Sequence, residues 1–108
     1  MSARVEVLYY AGCPAYRRAR QGVLAAMEEA GLAPEVHMVR VRHLREARAL
    51  DFRGSPTVRI DGVDVDPEGL SRAGPPGLYS RSFRYKGREF DAPPLELLRE
   101  RLGRAKSQ

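Results

Sequence analysis

The chain has 108 residues, 43% hydrophobic and 31% charged, a length and composition that suit one folded domain and exclude disorder along the whole chain. Lys+Arg number 19 against Asp+Glu 14, a formal charge of +5, but no run of five like charges occurs, so specific nucleic-acid binding is not expected. Cys13 is the one cysteine, which excludes an internal disulfide, a Cys-x-x-Cys redox pair and a cysteine-only zinc site.

Residues 4–10, Arg-Val-Glu-Val-Leu-Tyr-Tyr, are β-branched and aromatic, and predict a strand buried on part of both faces. Ala11-Gly12 break it. Pro14 is expected as the first residue of a helix, where its missing N–H costs nothing. Ala19, Val23, Ala26, Met27 and Ala30 then recur at helical spacing, with Arg17, Arg18, Arg20, Glu28 and Glu29 outside the stripe. Gly31 ends this helix and Pro34 prevents its continuation.

Residues 35–41 predict a second strand with apolar side chains on both faces. Residues 43–53 predict a shorter helix that uses Leu44, Ala47, Leu50 and Phe52 and is closed by Gly54. A strand follows from Ser55, in which Val58 and Ile60 alternate with Thr57 and Arg59, and Asp61-Gly62 is a two-residue hairpin signal. The acidic cluster Asp61, Asp64, Asp66 and Glu68 lacks calcium-loop spacing and is expected to solvate a turn. Residues 66–78, rich in Pro and Gly, predict a loop that is long for so small a domain. A further hairpin is expected about Lys86-Gly87 within 79–90. The last element is an amphipathic helix with Leu95, Leu98, Leu102 and Ala105 on one stripe, entered at Pro93-Pro94. The order β-α-β-α-β-β-α implies right-handed crossovers and an α/β fold with a central mixed sheet flanked by helices. It is expected as a single domain over 1–108, with an irregular insertion at about 67–90.

Two local features carry chemistry. Cys13 stands between a buried strand and the start of a helix, where unpaired N–H groups and the helix dipole favour a thiolate. Arg17 lies four residues on and would favour the same charge, whereas Arg18 and Arg20 read as a solvated face. Ser55-Pro56-Thr57 opens the third strand, and a proline is sterically permitted at a strand's first residue.

The sequence of strand, Gly12-Cys13-Pro14-Ala15-Tyr16, helix, then β-α, then Ser55-Pro56-Thr57-Val58 before a hairpin and a final helix resembles the thioredoxin/glutaredoxin superfamily. It is similar to small bacterial thioredoxin-family proteins with a Gly-Cys-Pro-x-aromatic turn, some of them alkylmercury-lyase-like. The resemblance covers residues 4–66 well and 67–90 poorly. It implies a thioredoxin-like fold, an attacking thiol at Cys13, and a cis-proline loop at Ser55, Pro56 and Thr57 that faces the sulfur and binds a partner's extended backbone together with Gly12 and Pro14. Where that superfamily carries its second cysteine this chain has Tyr16, so a dithiol cycle is excluded.

Three readings stay open. In the first, Cys13 is the nucleophile of a monothiol oxidoreductase, assisted by Tyr16 and Arg17; it forms mixed disulfides with a thiol- or disulfide-bearing small molecule or protein, and an external thiol such as glutathione resolves them. In the second, the chain is a non-catalytic binding or structural module and Cys13 a small buried hydrophobe. The third is soft-metal or mercurial binding through one thiolate; His37 and His43 offer it no ligand spacing, and no metal site or resident cofactor is expected. No apolar run approaches the roughly 20 residues of a membrane helix, and the first residues have no signal-peptide character. A cytoplasmic protein with a reduced thiol is the expectation.

Overall fold

The computed structural model describes residues 3–106, so residues 1–2 and 107–108 of the expected domain lie outside the described ones. The elements in chain order are β1 (Val5–Tyr9), α1 (Tyr16–Glu29), β2 (Val36–Arg40), α2 (Leu44–Leu50), β3 (Arg53–Ser55), β4 (Thr57–Ile60), β5 (Val63–Asp64), α3 (Pro67–Arg72), β6 (Gly77–Ser80), β7 (Phe83–Tyr85), β8 (Arg88–Phe90) and α4 (Leu95–Lys106). The fold is mixed α/β. Its main sheet has the order β2-β1-β4-β5. β1 runs parallel to β2 and antiparallel to β4, and β5 is antiparallel to β4. Two further strand pairs, parallel β3-β6 and antiparallel β7-β8, lie outside this sheet.

The alternation of β1 divides the core. Val5 and Val7 join Val58 and Ile60 of β4 on one face, where Ala19, Val23, Ala26 and Met27 of α1 and Leu98 and Leu102 of α4 cover them. Leu8 points to the other face and packs with Val41, Ala47 of α2 and Phe52. Because the side-chain period of a strand is two, one strand with apolar residues at both parities seeds two cores. Gly22 lets α4 come close to α1: a Cβ there would stand 3.3 Å from Leu98 Cδ1.

α1 ends as its sequence requires. Leu32 donates to the Met27 carbonyl and Gly31 to that of Glu28, with Gly31 at φ 74°, the paired bonds of a Schellman closure. The two-residue turns at Asp61-Gly62 and Lys86-Gly87 have positive φ at both positions, the type I′ geometry that matches strand twist.

Several expectations are corrected. α1 begins at Tyr16, with Ala15 as its N-cap, so Pro14 belongs to the preceding turn. α2 closes at Asp51, in the left-handed region at φ 51°, where Phe52 N–H bonds the Ala47 carbonyl; Gly54 plays no part in that closure. Gly54 instead sits inside β3 at φ 101°, and a Cβ there would meet Arg81 Cβ at 2.6 Å. Leu44 of α2 is exposed, and the burial expected of it falls to Phe52 past the helix end. On α4, Leu97 is buried alongside Leu98 and Leu102, while Leu95 is only partly buried.

The region read as a loop contains α3, capped by Asp66, whose carboxylate accepts from Gly69 N–H at 3.1 Å, and then β6. The acidic cluster does not simply solvate a turn. Asp61 and Glu68 are exposed, but Asp64 and Asp66 are buried. Arg81 grips Asp64 through two bonds of 2.8 and 3.0 Å, and the same guanidinium lies 4.3 Å over the Phe83 ring. A bidentate partner 17 residues away in sequence offsets part of the cost of burying the carboxylate.

Candidate functional site

The chain leaves β1 at Tyr10 and turns through Ala11 and Gly12 into Cys13. Ala11, Gly12 and Pro14 are exposed, whereas Cys13 is 2% exposed and Ala15 3%. Cys13 is one of the buried hydrophobic residues yet belongs to neither hydrophobic cluster, and the residues on either side of it in the turn are exposed. The Tyr10 ring closes over this turn: a Cβ on Gly12 would stand 2.8 Å from Tyr10 Cε2, so a side chain there would have to displace the ring.

Tyr10 also ties the turn to the other expected half of the site. Its carbonyl accepts from Cys13 N–H at 3.0 Å, and its own N–H donates to Ser55 Oγ at 3.3 Å. Ser55 ends β3 and Thr57 begins β4, and the Ser55-Pro56 peptide between them is cis. Ser55, Pro56 and Thr57 are all buried. Thr57 is held by pairing with Leu8 of β1 and by donating its hydroxyl to the Gly54 carbonyl at 2.7 Å. Tertiary structure therefore joins the Cys13 turn to the Ser55-Pro56-Thr57 segment through one residue's backbone.

Tyr16, the first residue of α1, is half-buried and stacks on Tyr9, with ring centroids 4.2 Å apart and planes 16° from parallel. Its hydroxyl accepts from Arg17 Nε at 3.4 Å, and this bond raises the Arg17 pKa further above its ordinary value. Arg17 is thus engaged with Tyr16. Arg18, by contrast, is bound to Asp91. The two hydrogen bonds, at 2.9 and 2.6 Å, raise the Arg18 pKa above its ordinary value. Arg18 is exposed, as expected of a solvated face, but its partner Asp91 lies 73 residues away and is not a neighbour along the chain.

Among the described residues no group of three His, Cys, Asp or Glu side chains converges as a ligand set for a metal ion. His37 and His43 are exposed, at 3.9 and 3.3 Å from Glu35 and Glu46. The larger of two described clefts, about 620 Å³, lies between β5 and α4, and neither cleft is lined by Cys13. Among the described residues no helix is long and apolar enough to cross a membrane. Compared with known proteins, the chain matches no family model, no curated protein and no solved structure.

Proposed function

We propose that this chain is a thioredoxin-like domain in which Cys13 works as a single guarded thiol, forming mixed disulfides that an external thiol resolves. The observation that carries this reading is the Tyr10 backbone relay, which holds the Cys13 turn beside Ser55-Pro56. The sheet order supports it, since β1 lies between a parallel and an antiparallel partner, with α1 and α4 on one face and α2 on the other. In the reaction, the Cys13 thiolate attacks one sulfur of a small disulfide. A Cys13–sulfur bond forms, the original S–S bond breaks, and one thiolate leaves. A second external thiolate then attacks the mixed disulfide, restores the Cys13 thiolate and carries away the bound half as a new disulfide. Tyr16 cannot perform that second step, which is why the resolving thiol is external.

The 2% exposure of Cys13 favours a second reading, a non-catalytic module in which the thiol only fills space. Reaction of the folded chain with oxidised glutathione, followed by intact-mass analysis, separates the two. The guarded-thiol reading expects one adduct, reversed by excess thiol and absent in Cys13→Ser. It also expects alkylation slower than in denaturant by about tenfold to a hundredfold, as for local opening of a surface turn. Reaction only at the rate of global unfolding establishes the second reading.

A further inference from the structure

The cleft of about 620 Å³ between the β4-β5 hairpin, the start of α3 and α4 is remote from Cys13 and takes no part in its chemistry. Its volume is in the range of small-molecule sites. Ile60, Val63, Val65, Leu97 and Ala105 line it beside four carboxylates and three arginines; Val63 is 62% exposed, whereas Ile60, Val65 and Leu97 are buried.

The charges around it are unequally committed. Asp64 is gripped by Arg81, Asp66 accepts from the N–H groups of Gly69 and Arg84, and Asp61 accepts from Arg4 N–H. Of the acidic lining groups, only Glu68 at the rim has a carboxylate with no such partner among the described residues. On the facing wall, Arg101 is half-buried and oriented by donating Nε to the Val65 carbonyl at 2.9 Å. Among the described residues no hydrogen bond or ion pair ties down its two terminal nitrogens, nor any guanidinium nitrogen of Arg104 one turn on. Within this mixed-charge lining, the oriented guanidinium fork of Arg101 and the neighbouring Arg104 are complementary to a carboxylate whose apolar body lies along Val63.

We infer that this cleft is a binding site for an amphipathic organic anion, with its carboxylate on Arg101 and Arg104 and its apolar part against Val63 and Ala105. The probe is decanoate, titrated into the full chain by calorimetry and by backbone amide NMR, with decyltrimethylammonium as the cationic counterpart. The expected result is saturable one-site binding of decanoate, with shifts centred on Val63, Val65 and Ala105 and at least about tenfold weaker binding of the cation. Arg101→Gln weakens decanoate about tenfold. Arg104→Gln, at an exposed side chain, weakens it by a smaller factor and guards against a folding defect in the first variant. No saturable binding, equal binding of anion and cation, shifts centred on the Cys13 turn, or unchanged affinity in both folded variants each overturns the assignment.

Discussion

Cys13 precedes α1 by three residues, and its own N–H is already bonded to the Tyr10 carbonyl. Both facts weaken the electrostatic help that a helix end gives a thiolate, because the dipole's effect falls off within the first turn. On the proposed reading the cation that serves the thiolate is Arg18, which Asp91 holds by two hydrogen bonds. On that reading Arg18→Gln should slow native-state modification of Cys13 several-fold at neutral pH, measured as the rate of glutathione adduct formation. An unchanged rate would mean that Arg18 contributes nothing to the thiolate. Since the thiol lies outside both hydrophobic clusters, Cys13→Ala should cost only about 1 kcal/mol. A shift in melting midpoint well beyond about 4–8 °C would show that the sulfur packs as a core group. The residues of this site were legible in the sequence; their commitments were not. Arg17 and Arg18 are adjacent arginines with equal claims along the chain, and only the positions of Tyr16 and Asp91 distinguish them.

At the scale of elements, the legible ones are those whose signal is local. The periodicity of α1 and the Asp61-Gly62 and Lys86-Gly87 turns depend on residues a few positions apart, and each stands where the sequence places it. β3, α3 and β6 are short, three to six residues each, and too short for a period to declare itself. They exist because distant partners hold them. Ser55 pairs with Ser80 across β3-β6, Arg81 N–H bonds the Ser55 carbonyl, and the Arg81 side chain clamps Asp64 of β5. Arg81→Met leaves the Asp64 carboxylate buried without its cation and should cost about 3–5 kcal/mol. The double variant Arg81→Met/Asp64→Leu should recover most of that loss, because removing both charges removes the desolvation penalty with them. Chemical denaturation midpoints of the two variants test this, and a double variant no more stable than the single one would contradict it.

For the molecule as a whole, α1 and α4 close one face of the sheet through Leu98 and Leu102. Leu98→Ala should cost about 2–5 kcal/mol by leaving a cavity beside Gly22, a large part of the roughly 5–15 kcal/mol that such domains have. The same two helices are joined at the surface by Arg99 and Glu29, at 2.6 Å. Hydrogen bonding to Arg99 holds the Glu29 carboxyl below its ordinary value, and Arg18 does the same for Asp91. A carboxylate lowered in the folded state adds stability that is present above its unfolded pKa and is lost as pH falls through its folded one. Unfolding midpoints of the native chain should therefore drop more steeply on acidification through and below the ordinary carboxylate range than those of Glu29→Gln/Asp91→Asn. Both pairs are exposed, so high salt should erase most of the difference. A difference that persists in salt would point to a packing effect of the substitutions.

What the amino-acid sequence determined by itself is the alternation of strands and helices, the apolar stripe of α1, both tight turns and the absence of a second thiol. Each of these follows from dihedral preferences, side-chain periods or simple counting. Tertiary structure decided the rest: the burial of Cys13 under its turn, the Tyr10 bridge to Ser55, the pairing of Asp64 with Arg81, and the cleft beside Arg101. Burial and charge pairing depend on which surfaces meet, and the residues that meet here are 17 to 73 positions apart, beyond the reach of any local pattern.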